Sequence, residues 1–129
     1  LLYVDGGVST NGQIGHLRMQ GNQVFKHAVI NISEAVTAAA ADAGIAVSDV
    51  DWFIPHQANQ RILNGVAHRL GIDEAKVIST VAEHANTSAA SIPLALSQGV
   101  SDGRVKPGQL ILLEAMGGGL TWGACTLRL

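Results

Sequence analysis

The sequence predicts an α/β domain that closes on a β-hairpin. Three observations predict it. Short runs of β-branched and aromatic residues alternate with longer stretches whose apolar positions recur every three or four residues. Hydrophobic residues make up 47% of the chain and charged ones only 14%, against about 25% charged in ordinary soluble domains. Such a chain has little surface to solvate, so much of it is destined for burial, in part against a partner. Finally, two strand-like runs near the C-terminus are separated by Gly117, Gly118 and Gly119, which reads as a hairpin.

The elements follow in order. Leu1 to Val4 reads as a strand and "VDGGVSTNGQIG" (4–15) as a loop, because Gly, Ser and Asn dominate it. Residues 16–19 read as a short strand, and "QGNQ" as a turn at Gly21. From Val24 to Ala43, the stripe Val24, Ala28, Ile32, Val36 and Ala39 or Ala40 predicts a long amphipathic helix, with Gly44 as its cap. Asp51 to Ile54 is bulky and short, hence a strand. Gln57 to Leu70 places Ala58, Ile62, Leu63, Val66, Ala67 and Leu70 on one helical face and ends at Gly71. An extended segment is expected within 76–83. The stretch 87–100 is nearly uncharged and apolar all round, which predicts a buried helix with Pro93 in an early, tolerable turn. Strands are expected at 109–114 and 121–129. The 129 residues fit one domain with no internal repeat.

Several function classes are excluded. A net charge of −2 lacks the basic field that nucleic-acid binding needs. No apolar run approaches the roughly 18 residues of a membrane span, and no signal peptide is legible at the start. The five histidines show no HExxH-like spacing and there is no cysteine cluster, so a metal site is not expected. Single Cys125 permits no internal disulfide and suits a reducing cytoplasm. It sits in the last strand, with no His or Asn near it in sequence, and reads as a small buried residue. The first residue is Leu1 and it opens on strand-like sequence, which suggests a fragment or processed piece.

Three stretches can carry chemistry. In "WFIPHQANQRI" (52–62), His56 follows Pro55, which disfavours helical geometry at Ile54 and should stop the strand there. His56 then opens a helix at the edge of the sheet, where α/β proteins bind ligands. A helix N-terminus favours the neutral imidazole, and a neutral imidazole can donate its N–H to a developing oxyanion. The same pattern also fits a histidine that only caps or packs under the helix. In "HANTSAAS" (84–91), Asn86 precedes the buried helix, either as its N-cap or as a second donor to an anionic oxygen. Its spacing from His56 allows one helix, one strand and a return to the same sheet edge. In "EAMGGGLTWG" (114–123), the glycines let a ligand approach the backbone closely, or merely form a flexible turn.

Taken together, "GNQVFKHAV", "PHQAN", "NTSAAS" and "DGRVKPGQLILLEAMGGGLTWG", in that order, resemble the C-terminal half of β-ketoacyl-acyl-carrier-protein synthase III, the condensing enzyme that starts type II fatty-acid synthesis. The resemblance runs from about Met19 to Leu129. It implies a thiolase-like fold: a mixed sheet with helices on both faces here, layered αβαβα in the full enzyme, with the helix from Thr87 sandwiched between two such halves. Residues 1–129 would be the C-terminal domain, and the N-terminal half with the nucleophilic cysteine would be absent. The resemblance makes His56 and Asn86 the catalytic pair that stabilises the malonyl enolate, and Gly118 part of the oxyanion loop. It implies pantetheine or CoA contacts at Asn59, Ala58, Gly21 and Phe25, and a patch for acyl carrier protein at Lys26, Arg61 and Arg69. The substrates would be acyl-CoA and malonyl-carrier protein with no cofactor, and the full enzyme a cytoplasmic homodimer. The isolated chain is expected to be inactive. Met116 stands where relatives commonly carry phenylalanine, and His68 where they often carry a second basic residue, so primer preference and patch strength stay open. The alternatives are a thiolase-fold acyltransferase of polyketide or secondary metabolism, and a non-catalytic binding or assembly module.

Overall fold

The computed structural model describes all 129 residues. Its centre is a three-stranded mixed sheet of β3 (Trp52–Pro55), β4 (Leu110–Gly117) and β5 (Thr121–Arg128), in that order. β3 runs parallel to β4, and β4 antiparallel to β5. A separate two-stranded ribbon pairs β1 (Leu2–Val4) with β2 (Leu17–Met19). The link between them, expected to be a plain loop, holds a one-turn helix, α1 (Val8–Asn11). Asp5 pins the ribbon by accepting the His16 N–H and the Arg18 Nε–H.

The long helix α2 (Gly21–Asp42) begins three residues earlier than its apolar stripe suggests. Gly21, read as a turn, is its first residue. Its end is as expected: Gly44 adopts φ 69°, and the Gly44 and Ile45 N–H groups reach back to the Ala41 and Ala40 carbonyls, so two carbonyls of the last turn find donors. The next helix, α3 (Gln60–Leu70), starts three residues later than expected. Asn59 is the reason. Its side chain accepts the Ile62 N–H at 3.0 Å, a cap worth about 1 kcal/mol, and that leaves residues 56–58 outside the helix.

Alternation along the strands sorts the core onto two faces. Phe53 and Leu112 face α2 and α3, packed with Ile32, Val36, Ile62 and Val66. Ile54 and Ile111 face the opposite side, with Ile78, Val105 and Ala95 of α5 (Ser91–Ser101). Full burial of a side chain such as Phe53 contributes roughly 1.5–3 kcal/mol. The segment expected to be extended within 76–83 forms a single parallel bridge, Phe53 to Val77, before a one-turn helix, α4 (Val81–His84). A short 3-10 turn (Ser88–Ala90) precedes α5, so the predicted helix 87–100 is split.

Two expectations about burial are corrected. α5 buries only the stripe Ser91, Ala95 and Gly99, while Leu94 and Val100 are 40% and 45% exposed. It packs on one sheet here, and one sheet covers only one side of a helix. Cys125 is exposed rather than buried. It pairs with Leu113 and so points to the α5 side of the sheet, but β5 is the edge strand and α5 packs against β3 at the other edge.

Candidate functional site

The site forms where β3 and β4 end side by side. Pro55, which was expected to lie beyond the strand, is its last residue, and the His56 N–H continues the ladder by donating to the Glu114 carbonyl at 2.8 Å. His56 is thus anchored to the sheet and does not open a helix. A helix N-terminus therefore does not keep the imidazole neutral. Burial does: the ring is partly out of water, which holds its pKa below the ordinary 6.5. Its Nδ1 lies 2.6 Å from the Ser91 hydroxyl.

Gln57, the next residue, is fully buried. Its Nε2 donates to the carbonyls of Pro55 (2.7 Å) and Ile78 (3.2 Å), and its Oε1 accepts the Thr80 N–H at 2.7 Å. Thr80 begins α4, the turn that leads to Asn86. One amide side chain therefore ties the strand exit bearing His56 to the segment bearing Asn86.

Asn86 caps no α-helix. Its Oδ1 accepts the Ser88 N–H at 2.9 Å, which closes a local turn and leaves its NH2 group as the free end. Ala85 and Ser88 beside it both hold positive φ, 55° and 54°, a region non-glycine residues enter at a cost and mainly where function or packing demands it. Gly118 lies at the hairpin turn between β4 and β5, close to the Leu2 carbonyl of the ribbon, and its N–H finds no partner in the chain.

His56, Asn86 and Gly118 line one cleft of about 950 Å³, with Met116 beside them and Tyr3 and Met19 of the ribbon forming further wall. The cleft thus gathers three neutral donor groups in a mostly apolar surround. A second hollow of about 320 Å³ is lined by Gly21, Phe25, Asn59 and Arg61. The Arg61 guanidinium stands 5.5 Å over the Phe25 ring. Ala58 is not on this hollow. It packs against the main core instead. Arg69 lies apart too, in a shallow groove between α2 and α3 beside Glu34 and Thr37. Lys26 is exposed on α2. Arg61 and Arg69 share the α3 surface, about 12 Å apart along its axis.

Three residues of the site were not singled out by sequence reasoning. Ser91 is serine in a small-residue helix, and nothing in the spacing marks it. Gln57 was placed inside a helix, where its clamp could not be foreseen. Glu114 was legible, because alternation in "LILLEAM" puts its carboxyl on the Leu110 and Leu112 side. It is 2% exposed and its Oε2 has no partner. Burial pushes it up to about 8, with the His56 N–H opposing the shift.

By sequence and fold the chain matches known proteins of one family. Residues 40–129 match the family described as 3-oxoacyl-[acyl-carrier-protein (ACP)] synthase III C terminal. The whole chain is 78% identical to 40% of the β-ketoacyl-[acyl-carrier-protein] synthase III of Caulobacter vibrioides. Among solved structures, it superposes on the 3-oxoacyl-[acyl-carrier-protein] synthase III of Aquifex aeolicus VF5 with a TM-score of 0.92 and 46% identity, covering 100% of this chain and 40% of that one. It also superposes on the priming β-ketosynthase of the R1128 polyketide pathway with a TM-score of 0.90 and 36% identity, covering 99% of this chain and 40% of that one. The chain spans 40% of the length of the first two relatives. With the fold matched over its full length and the family model over residues 40–129, the chain belongs to the 3-oxoacyl-acyl-carrier-protein synthase III family, and its fold is the thiolase-like fold of that family.

Proposed function

We propose that this chain is the C-terminal domain of a condensing enzyme that joins acyl-CoA to malonyl-acyl-carrier protein by decarboxylative Claisen chemistry, to initiate fatty-acid synthesis. The observation that carries the reading is the meeting of His56, Asn86 and Gly118 on one cleft. The malonyl thioester loses CO2, and the electron pair of the broken C–C bond passes into an enolate. His56 and Asn86 donate hydrogen bonds to the enolate oxygen, each preorganised donor worth roughly 10²–10³ in rate. The acyl group passes first from CoA to a cysteine supplied by the rest of the fold, which breaks the CoA thioester and releases free CoA; the carbanion then attacks the new acyl thioester. The Gly118 N–H stabilises the resulting oxyanion, which collapses to the 3-oxoacyl product and releases the cysteine thiolate. No cofactor enters these steps.

The second hollow suits the substrate arm. Asn59, Gly21 and Phe25 fit a pantetheine chain at its mouth, and Arg61, held over Phe25, fits the acidic carrier protein. Lys26 and Arg69 would widen that field, steering association more than adding affinity. The full enzyme in this reading is a cytoplasmic homodimer.

The test uses a joined protein, this chain fused behind the preceding portion of the Caulobacter vibrioides relative. His56→Ala and Asn86→Ala should each abolish malonyl decarboxylation while the protein stays folded. Decarboxylation near the unsubstituted rate in both variants contradicts the assignment. The likeness to the R1128 priming β-ketosynthase favours one second reading, a priming step in polyketide metabolism. A panel of acyl-CoA primers separates the two, and Met116, which lines the cleft, is positioned to meet the primer's acyl chain.

A further inference from the structure

The imidazole of His56 has two ring nitrogens, and a neutral ring carries one proton. Which nitrogen holds it decides whether the ring can donate into the cleft at all. Nδ1 faces the Ser91 hydroxyl at 2.6 Å. That hydroxyl has one proton and two lone pairs. One lone pair is used by the Gln57 backbone N–H, at 3.2 Å. Ser91 is 1% exposed and Gln57 0%, so water does not compete for the hydroxyl proton. The chain's hydrogen bonds offer that proton one acceptor, which is Nδ1.

We infer that Ser91 is a positioning residue that donates to Nδ1 and holds neutral His56 with its proton on Nε2, so that the ring presents an N–H to the cleft. The chain of bonds runs from the Gln57 N–H to the Ser91 hydroxyl to Nδ1, and each link sets the direction of the next. Gln57 is itself immobilised by three side-chain bonds, to Pro55, Ile78 and Thr80. Ser91 is the first residue of α5, whose stripe of Ala95 and Gly99 packs it against the sheet. The hydroxyl is thus held from both sides. With alanine at this position, both the Gln57 N–H and Nδ1 lose their partner, and neither ring orientation nor tautomer is selected. The consequence for catalysis rests on the enolate-stabilising role proposed above, whereas the tautomer itself does not.

Nitrogen NMR on the joined protein labelled with ¹⁵N-histidine tests the inference. Long-range nitrogen–proton patterns distinguish the two tautomers, and His56→Asn identifies the signal by removing it. The expected result is the Nε2–H form in the unsubstituted protein. S91A should lose that single form and lower kcat for malonyl decarboxylation about ten- to a hundredfold, the scale seen when a hydrogen-bond partner that orients a functional imidazole is removed. KM should change by no more than about twofold. S91T, which keeps the hydroxyl, should recover the tautomer and most of the rate. An Nδ1–H form in the unsubstituted protein overturns the inference, as does an unchanged Nε2–H form in S91A. If neither variant folds, the unsubstituted spectrum still decides. The Nε2–H form in a protein that does not decarboxylate malonyl thioesters would support the tautomer assignment and overturn the proposed function.

Discussion

At the scale of single residues, the buried polar groups make the sharpest demands. Glu114 ordinarily titrates at 4.5, but burial pushes it up to about 8. Between those values the folded protein holds a proton that the unfolded chain releases. Stability contributed by this group is therefore fully present below 4.5 and is lost as pH rises toward 8. His56 acts in the opposite sense. Its lowered pKa makes the unfolded chain the better proton binder, so its contribution weakens as pH falls through its ordinary 6.5. The difference between the unsubstituted protein and E114Q isolates the carboxyl. Urea midpoints should show E114Q gaining on the unsubstituted protein as pH rises from 5 to 8, by an amount on the order of a few kcal/mol. A difference that stays flat with pH would show that the carboxyl is not held protonated. Gln57 is the second such residue. Gln57→Leu strands the Thr80 N–H and two carbonyls, which should cost about 2–4 kcal/mol. A loss below about 0.5 kcal/mol, within the range of a neutral surface change, would mean that the clamp holds nothing in place.

At the scale of elements, α5 packs closely against the segments that carry Ile78 and Val105. A Cβ on Gly99 would lie 2.6 Å from Ile78 Cδ1 and 2.9 Å from Val105 Cγ2. Helix propensity favours alanine over glycine by about 1 kcal/mol, but overpacking costs about 1–3 kcal/mol. G99A should therefore be neutral to mildly destabilising and G99V clearly destabilising, read as a drop in the urea midpoint. A midpoint for G99V equal to that of the unsubstituted protein would show that α5 sits more loosely than the geometry requires. The same scale shows what sequence alone could reveal. α2, β3 and the terminal hairpin were legible because period and turn chemistry agree. The start of α3 was misplaced because "HQAN" is compatible with a helix by pattern. Only the capping bond from Asn59 to Ile62 fixes the boundary, and capping competes locally with helical pairing. α4 and the 3-10 turns carry no periodic signal at their length. The sequence placed His56 and Asn86 at turning points and the resemblance added Gly118; the structure sets all three on one cleft, but the bond from His56 to Ser91 spans 35 residues and had no pattern to announce it.

At the scale of the molecule, apolar surface is the dominant feature. Val8 and Ile14 are 83% and 86% exposed, and Leu17, Met19, Leu94 and Val100 are exposed as well. The ribbon with its linking segment and the outer face of α5 thus leave several large apolar side chains in water, and clustered exposed apolar groups mark contact surfaces. Alone, the chain should self-associate, visible as concentration-dependent sedimentation, and the joined protein should not show that behaviour through these faces. A monodisperse monomer at high concentration would instead support a self-sufficient binding module.

In the proposed function, the cleft of His56, Asn86 and Gly118 is one part of a condensing site that needs a nucleophile from the rest of the fold. The most direct test supplies acetyl-CoA and malonyl-acyl-carrier protein to this chain alone and to the joined protein. Condensation product from the joined protein only is the predicted result. Product from neither, with both folded, would contradict the assigned reaction.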